Sequence, residues 1–278
     1  MKERIVTGLI IALILVPVIG FSEFIIYPIA MALLAVTALY EMFRVLGVVK
    51  DLYLTLPPYL FGAVFPLLSF FMMQSGQEHF NVLSVLSMSF FVYLFYIFIV
   101  LILRYEKVKL EDAALVFMTS LYIVASFTSL TVVRYMPGGI WNFGIVFITA
   151  WVTDIFAYFT GYFFGKHKLS PKISPKKTIE GALGGTFFSI LVCLLYGWIL
   201  EAFSLASVNY IALALTGLVL SVLAQAGDLA ASLIKRHYGV KDYGHLMPGH
   251  GGVMDRFDSV IAISSVLMIL AIVYPPIF

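Results

Sequence analysis

The chain has 278 residues, of which 62% are hydrophobic and only 12% are charged, and its formal net charge is +2. Because a soluble domain carries about 25% charged residues, this composition excludes an ordinary cytoplasmic globule, a disordered chain and a nucleic-acid binder. It predicts a polytopic membrane protein. The single cysteine, Cys193, excludes an intramolecular disulfide and a Cys-based zinc site.

Nine apolar stretches have about the 20 residues that a helix needs to cross a bilayer. The runs are continuous and do not alternate with period two, which disfavours a β-barrel. The first stretch resembles a signal peptide, but an uncleaved span is favoured because another span follows at once. We therefore predict an all-α polytopic integral membrane protein with about nine transmembrane helices, at 5–21, 24–45, 52–73, 82–103, 113–133, 140–163, 181–200, 207–230 and 259–276.

The basic residues indicate the orientation of these spans. With the N-terminus in the cytoplasm, every one of the 17 Lys and Arg residues except Arg134 falls on the cytoplasmic side. This asymmetry predicts a cytoplasmic N-terminus and an extracytoplasmic C-terminus. Within a single membrane domain, we predict N-terminal transmembrane helices at 1–135 and C-terminal transmembrane helices with cytoplasmic catalytic loops at 136–278.

Two aspartates lie inside predicted spans, Asp154 in the sixth and Asp228 near the cytoplasmic end of the eighth. A carboxylate at membrane depth is rare and usually faces a bundle interior or a wet cavity. Each could be a neutral packing residue, but a functional role is favoured because both adjoin the same cytoplasmic loops. Tyr158 and Ser232 each follow four residues later and so share a helix face with their aspartate.

A lysine-rich loop at 165–181 joins the sixth and seventh spans. Its lysines satisfy the positive-inside rule, and they could also meet anionic lipid headgroups. Ser174 is a capping residue and Pro175 suits the first helical position, which predicts a helix N-terminus beside Lys176 and Lys177. Free N–H groups, hydroxyls and lysines at a helix N-terminus favour phosphate binding.

The segment from Gly227 to Asp258 combines four acidic residues, four basic residues and several glycines. Carboxylates without cysteine suit a hard cation such as Mg²⁺, and the basic groups suit phosphate oxygens. Together they predict metal-assisted phosphoryl or nucleotidyl transfer. Two alternatives stay open: Asp258 could be only the N-cap of the last span, and His250 could be a buried hydrogen-bonded residue or a phosphate contact.

The same segment resembles the signature of the phosphatidate cytidylyltransferase family, also called CDP-diacylglycerol synthases. Asp154, Tyr158 and the stretch 174–181 look like that family too, and Met247, where Leu, Ile or Phe is expected, is a conservative departure. The signature positions are Ser232, Lys235, Arg236, Lys241, Asp242, Pro248, His250, Gly251, Gly252, Asp255, Arg256 and Asp258.

The resemblance implies that phosphatidic acid and CTP react to give CDP-diacylglycerol and pyrophosphate, with Mg²⁺ as cofactor. It implies an enzyme integral to the lipid bilayer of a bacterial plasma membrane, with its active site facing the cytoplasm, and homodimers are known in the family. Because Mg²⁺ usually takes one or two protein carboxylates, five candidate ligands imply a second cation or some aspartates that orient basic residues.

The candidate residues fall into three sets. The catalytic set is Asp228, Lys235, Arg236, Lys241, Asp242, His250, Asp255, Arg256 and Asp258. The phosphate-binding set is Ser174, Lys176, Lys177, Thr178, Tyr158 and Ser232. The metal set is Asp228, Asp255, Asp258, Asp154 and Asp242.

Two alternative functions remain open. A CTP-dependent lipid kinase, or a synthase acting on another lipid phosphate, would share most of these features, although the long signature disfavours the kinase. A cation-coupled transporter would use Asp154 and Asp228 as ion sites. A transporter should keep its polar groups near the midplane with access from both sides, whereas this cluster lies on one side.

Overall fold

The computed structural model describes residues 13, 17–76, 79–247, 249 and 251–273. Within these residues, eight helices are long and apolar enough to cross a membrane, and the strands form one two-stranded hairpin. The protein is therefore all-helical in its spans, as predicted. The helices are α1 (Ile26–Leu46), α2 (Leu52–Gln74), α3 (His79–Leu103), α4 (Leu110–Tyr135), α5 (Gly139–Phe164), α6 (Ile179–Ala202), α7 (Tyr210–His237) and α8 (Met254–Val273), and the strands are β1 (Lys168–Ser170) and β2 (Ser174–Thr178).

These helices match the second to the ninth predicted spans. The first predicted span, 5–21, falls almost wholly outside the described residues, so that span and the count of nine stay predictions. Helix α7 runs on to His237, and α8 begins already at Met254. The predicted spans omitted these polar ends because they were drawn from apolar runs alone. In α7, the helical backbone hydrogen bonds continue through Lys235 and Arg236. Basic residues suit such a last turn because they face the negative end of the helix dipole.

The chain forms two compact units. The first contains the residues up to Tyr135 together with Tyr238–Phe257, and the second contains Met136–His237 together with the residues from Asp258 onward. The segment that carries much of the signature, Tyr238–Phe257, thus packs with the N-terminal helices.

In the first unit, α4 packs against α1, α2 and α3 and is the most buried of these helices. The Tyr27 hydroxyl of α1 donates to the Leu130 carbonyl of α4 at 3.1 Å. The Tyr93 hydroxyl of α3 donates to the Leu54 carbonyl of α2 at 2.9 Å. Buried phenols need such partners, and these two bonds fix α1 and α3 against their neighbours.

In the second unit, glycines bring α5 and α6 close together. A Cβ on Gly181 would lie 2.6 Å from the Ala157 carbonyl oxygen, and one on Gly185 would lie 2.7 Å from that of Thr153. Small residues allow this backbone approach between membrane helices. Helix α7 packs on both α5 and α6, and the Thr153 hydroxyl donates to that of Ser221 at 3.0 Å.

The structure corrects the predicted helix start at Ser174 and Pro175. Both residues lie in β2, which pairs antiparallel with β1. Helix α6 begins only at Ile179, and the hydroxyl of its N-cap, Thr178, accepts the Gly181 N–H at 3.1 Å. The prediction was wrong because both strands of a two-stranded hairpin are edge strands, where proline is tolerated, so the Ser-Pro pair did not have to start a helix.

Candidate active site

A cavity of about 690 Å³ lies in the second unit, where α5, the hairpin, the N-terminus of α6 and α7 meet. Tyr158, Thr178 and Gln225 are among its lining residues. Three cations and two carboxylates beside a helix N-terminus suit a ligand that carries phosphate oxygens and a hard cation. The charged lining residues are Asp154, Lys168, Lys176, Lys177 and Asp228.

Lys177 and Asp228 form an ion pair in the wall of this cavity. Lys177 Nζ, from β2, lies 2.5 Å from Asp228 Oδ2, from α7, and about a quarter of each side chain is exposed. One turn further along α7, the Ser232 hydroxyl donates to Asp228 Oδ1 at 3.4 Å. The predicted partnership of Asp228 and Ser232 on one helix face is therefore present, and Asp228 links the hairpin to α7.

Asp228 is also the electrostatic neighbour of two further carboxylates, Asp154 of α5 and Asp258 of α8. The Ser259 hydroxyl donates to Asp154 Oδ2 at 3.3 Å, and the Ser259 N–H donates to Asp258 Oδ1 at 2.8 Å. Helices α7 and α8 meet closely at Gly227, where an added Cβ would collide with Ala262. Ser259 therefore lies between Asp154 and Asp258, and Gly227 lets α8 approach the turn of α7 that carries Asp228.

The alternative role of Asp258 as the N-cap of the last span is wrong. Helix α8 begins at Met254, so Asp258 lies inside it. Lys235, in the last turn of α7, acts electrostatically on Asp258. The carboxylate therefore faces a charged neighbourhood instead of closing a helix end.

The three carboxylates fit a hard cation in their donor chemistry. Within the part of the chain that the structure describes, no group of three or more His, Cys, Asp or Glu side chains is close enough to enclose a metal ion. Mg²⁺ commonly uses one or two protein carboxylates and completes its octahedron with water and substrate phosphate. The donor set thus suits an ion that is bound jointly with a nucleotide.

Glu180 closes the base of the hairpin. Its carboxylate accepts the N–H groups of Lys166 at 3.1 Å and His167 at 3.2 Å, and its Oε1 lies 2.6 Å from His167 Nδ1. The Ile179 N–H donates to the His167 carbonyl at 2.9 Å. Lys168, in β1, also lines the cavity. Lys172 lies in the exposed turn of the hairpin.

The other predicted phosphate-binding residues have different surroundings. Ser174 pairs with Ser170 in the hairpin ladder and is half-buried. Thr178 is buried and lines the cavity, but its hydroxyl already caps α6. Tyr158 lines the cavity and stacks nearly parallel on Tyr162, with ring centroids 6.3 Å apart.

Four further candidate residues belong to the first unit. Lys241 and Asp242 line a second cavity, of about 400 Å³, together with Arg44 and His245. Asp255 Oδ2 accepts the N–H groups of Tyr243 at 2.7 Å and Gly252 at 3.0 Å, so this carboxylate holds loop backbone. Arg256 is exposed, as is Arg236 of the second unit. Pro248 and His250 lie outside the described residues.

The sequence analysis did not select two residues that lie near these sites. Glu41 of α1 is buried and accepts the N–H groups of Val253 and Met254. An acidic residue within an apolar run was the available signal, the same one that singled out Asp154. Gln225 lines the first cavity and donates to the Thr186 hydroxyl at 3.1 Å. A lone glutamine in a span carries no comparable signal.

Known proteins resemble this chain over nearly its whole length. A family model described as the cytidylyltransferase family matches residues 2–274. A phosphatidate cytidylyltransferase of Staphylococcus epidermidis is 36% identical over 275 residues, covering 98% of this chain and 99% of the relative. One of Bacillus subtilis is 34% identical over 280 residues and covers 97% of each, and one of Staphylococcus haemolyticus is 33% identical over 276 residues, covering 98% and 99%. The chain therefore belongs to the cytidylyltransferase family, whose members are nucleotidyltransferase enzymes.

Proposed function

We propose that this protein transfers CMP from CTP to phosphatidic acid in a bacterial plasma membrane, giving CDP-diacylglycerol and pyrophosphate. The relatives at 33–36% identity carry the name of this activity. The observation that carries the proposal is the charged cavity of the second unit, with three lysines and two aspartates beside the N-terminus of α6. A substrate with two acyl chains also explains why a nucleotide enzyme consists of apolar helices.

In the proposed reaction, an oxygen of the lipid phosphate attacks the α-phosphorus of CTP. The new P–O bond forms as the bond from the α-phosphorus to the α,β-bridging oxygen breaks, and pyrophosphate leaves with that oxygen. The attacking oxygen is already ionised at neutral pH, so no general base is required. Catalysis then depends on positioning and on neutralisation of charge.

The residues of the cavity divide this work. Lys168, Lys176 and Lys177 bind phosphate oxygens of CTP and of the lipid, and the positive end of the α6 dipole favours the same anions. One or two of the carboxylates of Asp228, Asp154 and Asp258 would hold Mg²⁺, which supplies neutralisation of phosphate charge when bound. Because Lys177 pairs with Asp228, substrate phosphate competes with the aspartate for the lysine, and this frees carboxylate oxygen at the moment when the nucleotide arrives.

The remaining candidate residues complete the proposal. A second cation, or an indirect role through the loop backbone, accounts for the further acidic candidates Asp242 and Asp255. The other candidates bind or orient substrate phosphates, and they are Ser174, Thr178, Tyr158, Ser232, Lys235, Arg236, Lys241, His250 and Arg256.

We also propose nine spans, a cytoplasmic N-terminus, an extracytoplasmic C-terminus and a homodimer. The support for the orientation is the distribution of the 17 basic residues. A single cysteine at position 172, introduced in a Cys193→Ala background, should react with a membrane-impermeant maleimide only after the cells are opened. Labelling from outside intact cells would refute the orientation.

The activity is tested with purified protein, phosphatidic acid, Mg²⁺ and CTP labelled either at the α- or at the γ-phosphate. The α-label should appear in a CDP-lipid, and the γ-label in pyrophosphate. A CTP-dependent lipid kinase would instead move the γ-label into lipid and release CDP. Absence of any CDP-lipid in this assay would refute the proposed function.

A further inference from the structure

Glu41 lies in the C-terminal half of α1, in the first unit, and only 3% of its surface is exposed. Its Oε1 accepts the Val253 N–H at 3.0 Å, and its Oε2 accepts the Met254 N–H at 2.9 Å. Met254 is the first residue of α8, and N–H groups there have no partner within their own helix. A carboxylate of α1 therefore caps a helix start that is more than 200 residues away in the chain.

Two glycines of the loop provide the space that this carboxylate fills. An added Cβ on Gly244 or on Gly252 would collide with the carboxylate of Glu41. Between these glycines the loop pairs with itself, since the Met247 N–H donates to the Gly251 carbonyl at 2.9 Å. The two ends of this turn therefore close on Glu41.

A second side chain of α1 holds the same loop. Arg44 Nη2 donates to the Tyr243 carbonyl at 2.5 Å, and Tyr243 is fully buried. The N–H of Tyr243 is held in turn by Asp255 Oδ2. Backbone directly after Lys241 and Asp242 is thus held from both α1 and α8.

We infer that Glu41 is a positioning residue that sets the backbone of the signature loop, 241–254. The inference rests on the proposed function, in that this loop is taken to carry residues of the transfer reaction. A buried carboxylate is costly unless it is paired, and here it is matched to two N–H donors and to the positive end of a helix dipole. Plain packing would need neither the charge nor two acceptor oxygens.

Glu41→Gln tests this role because it keeps the size but turns one acceptor oxygen into an NH₂ group that faces a backbone N–H. We expect kcat/KM for CDP-diacylglycerol formation to fall about 10- to 100-fold, as for a small displacement of reacting groups. Hydrogen exchange, followed by mass spectrometry in detergent, should rise in peptides covering 241–254 and stay unchanged in α4. The matched control is Glu111→Gln, at an exposed carboxylate in the first turn of α4, which should change neither quantity.

Unchanged activity and unchanged exchange in Glu41→Gln would overturn the inference and leave the proposed function intact. Exchange that rises throughout α1–α4 would also overturn it, since a general packing role predicts that pattern. If the wild type makes no CDP-diacylglycerol, the proposed function fails, and the exchange measurement alone decides whether Glu41 holds the loop.

A steric pair of variants covers the case in which Glu41→Gln does not fold. Gly252→Ala places a methyl group against the carboxylate, and Glu41→Asp shortens the side chain by one methylene. The double variant should therefore be at least about tenfold more active than Gly252→Ala alone, because contacting residues couple. Losses that simply add would contradict the inference.

Discussion

Aspartates of the two units meet different partners, although the sequence places both in the same candidate metal set. In the second unit, Asp228 pairs with the Lys177 ammonium group and accepts the Ser232 hydroxyl. In the first unit, one oxygen of Asp255 is occupied by the N–H groups of Tyr243 and Gly252. The charged groups of the first arrangement can bind a ligand in place of each other, whereas the carboxylate of the second holds the backbone of a loop. Residue type and spacing alone do not separate these roles; the partners do.

Replacing Asp228 should give the largest effect. Asp228→Asn removes the negative charge that pairs with Lys177 and that would bind a cation, so we expect kcat/KM to fall about 100- to 1,000-fold. Partial recovery at high Mg²⁺ or with Mn²⁺ would support direct ligation. Asp112→Asn, in the first turn of α4, is the matched control and should stay within about twofold of wild type. Near-normal activity of Asp228→Asn would show that Asp228 does not bind a ligand, and the proposed difference between Asp228 and Asp255 would be wrong.

Lys177→Ala should be next in size. Loss of a charge-assisted bond to phosphate costs about 1.5–3 kcal/mol, or about 10- to 150-fold in kcat/KM, and should raise the KM for one substrate. Lys172→Ala removes an exposed lysine from the turn of the same hairpin and should change KM by less than about twofold. Equal and small effects of both substitutions would mean that the lysines only set the orientation of the spans in the membrane and do not bind phosphate.

Asp255→Asn should cost less than Asp228→Asn. An asparagine oxygen can still accept both backbone N–H groups, so only the charge contribution is lost, and we expect about a tenfold decrease in kcat/KM. Mn²⁺ should not restore activity to this variant. If Mn²⁺ does restore it, Asp255 is a ligand as well, and the two aspartates have the same role.

Thr178→Ala should have the smallest effect of the four substitutions, and we expect it on the stability of the fold. Loss of the N-cap bond to the Gly181 N–H should lower the free energy of unfolding by about 1 kcal/mol, and Thr178→Ser should restore it. Equilibrium unfolding of the purified protein in detergent measures both changes. Equal stability of the alanine and serine variants would show that the cap does not anchor the start of α6.

The spans could be predicted from the sequence because a bilayer demands about 20 consecutive apolar residues, and that demand is visible in composition alone. Asp154 and Asp228 stood out for the same reason, as charges inside those runs. The hairpin could not be predicted, because strands of three and five residues show no usable period and Ser174-Pro175 favoured a helix start equally well. The partners of Glu41 were invisible because they depend on a contact between residues 212 positions apart.

The contact between Glu41 and Val253 has a consequence for biosynthesis. At roughly 5–20 residues per second, the ribosome needs about 10–40 s to make the 212 residues that separate them. During that interval the carboxylate lacks the two N–H groups that later compensate its burial. The burial of this one carboxylate among the N-terminal helices is therefore compensated only when one of the last segments of the chain has been synthesised.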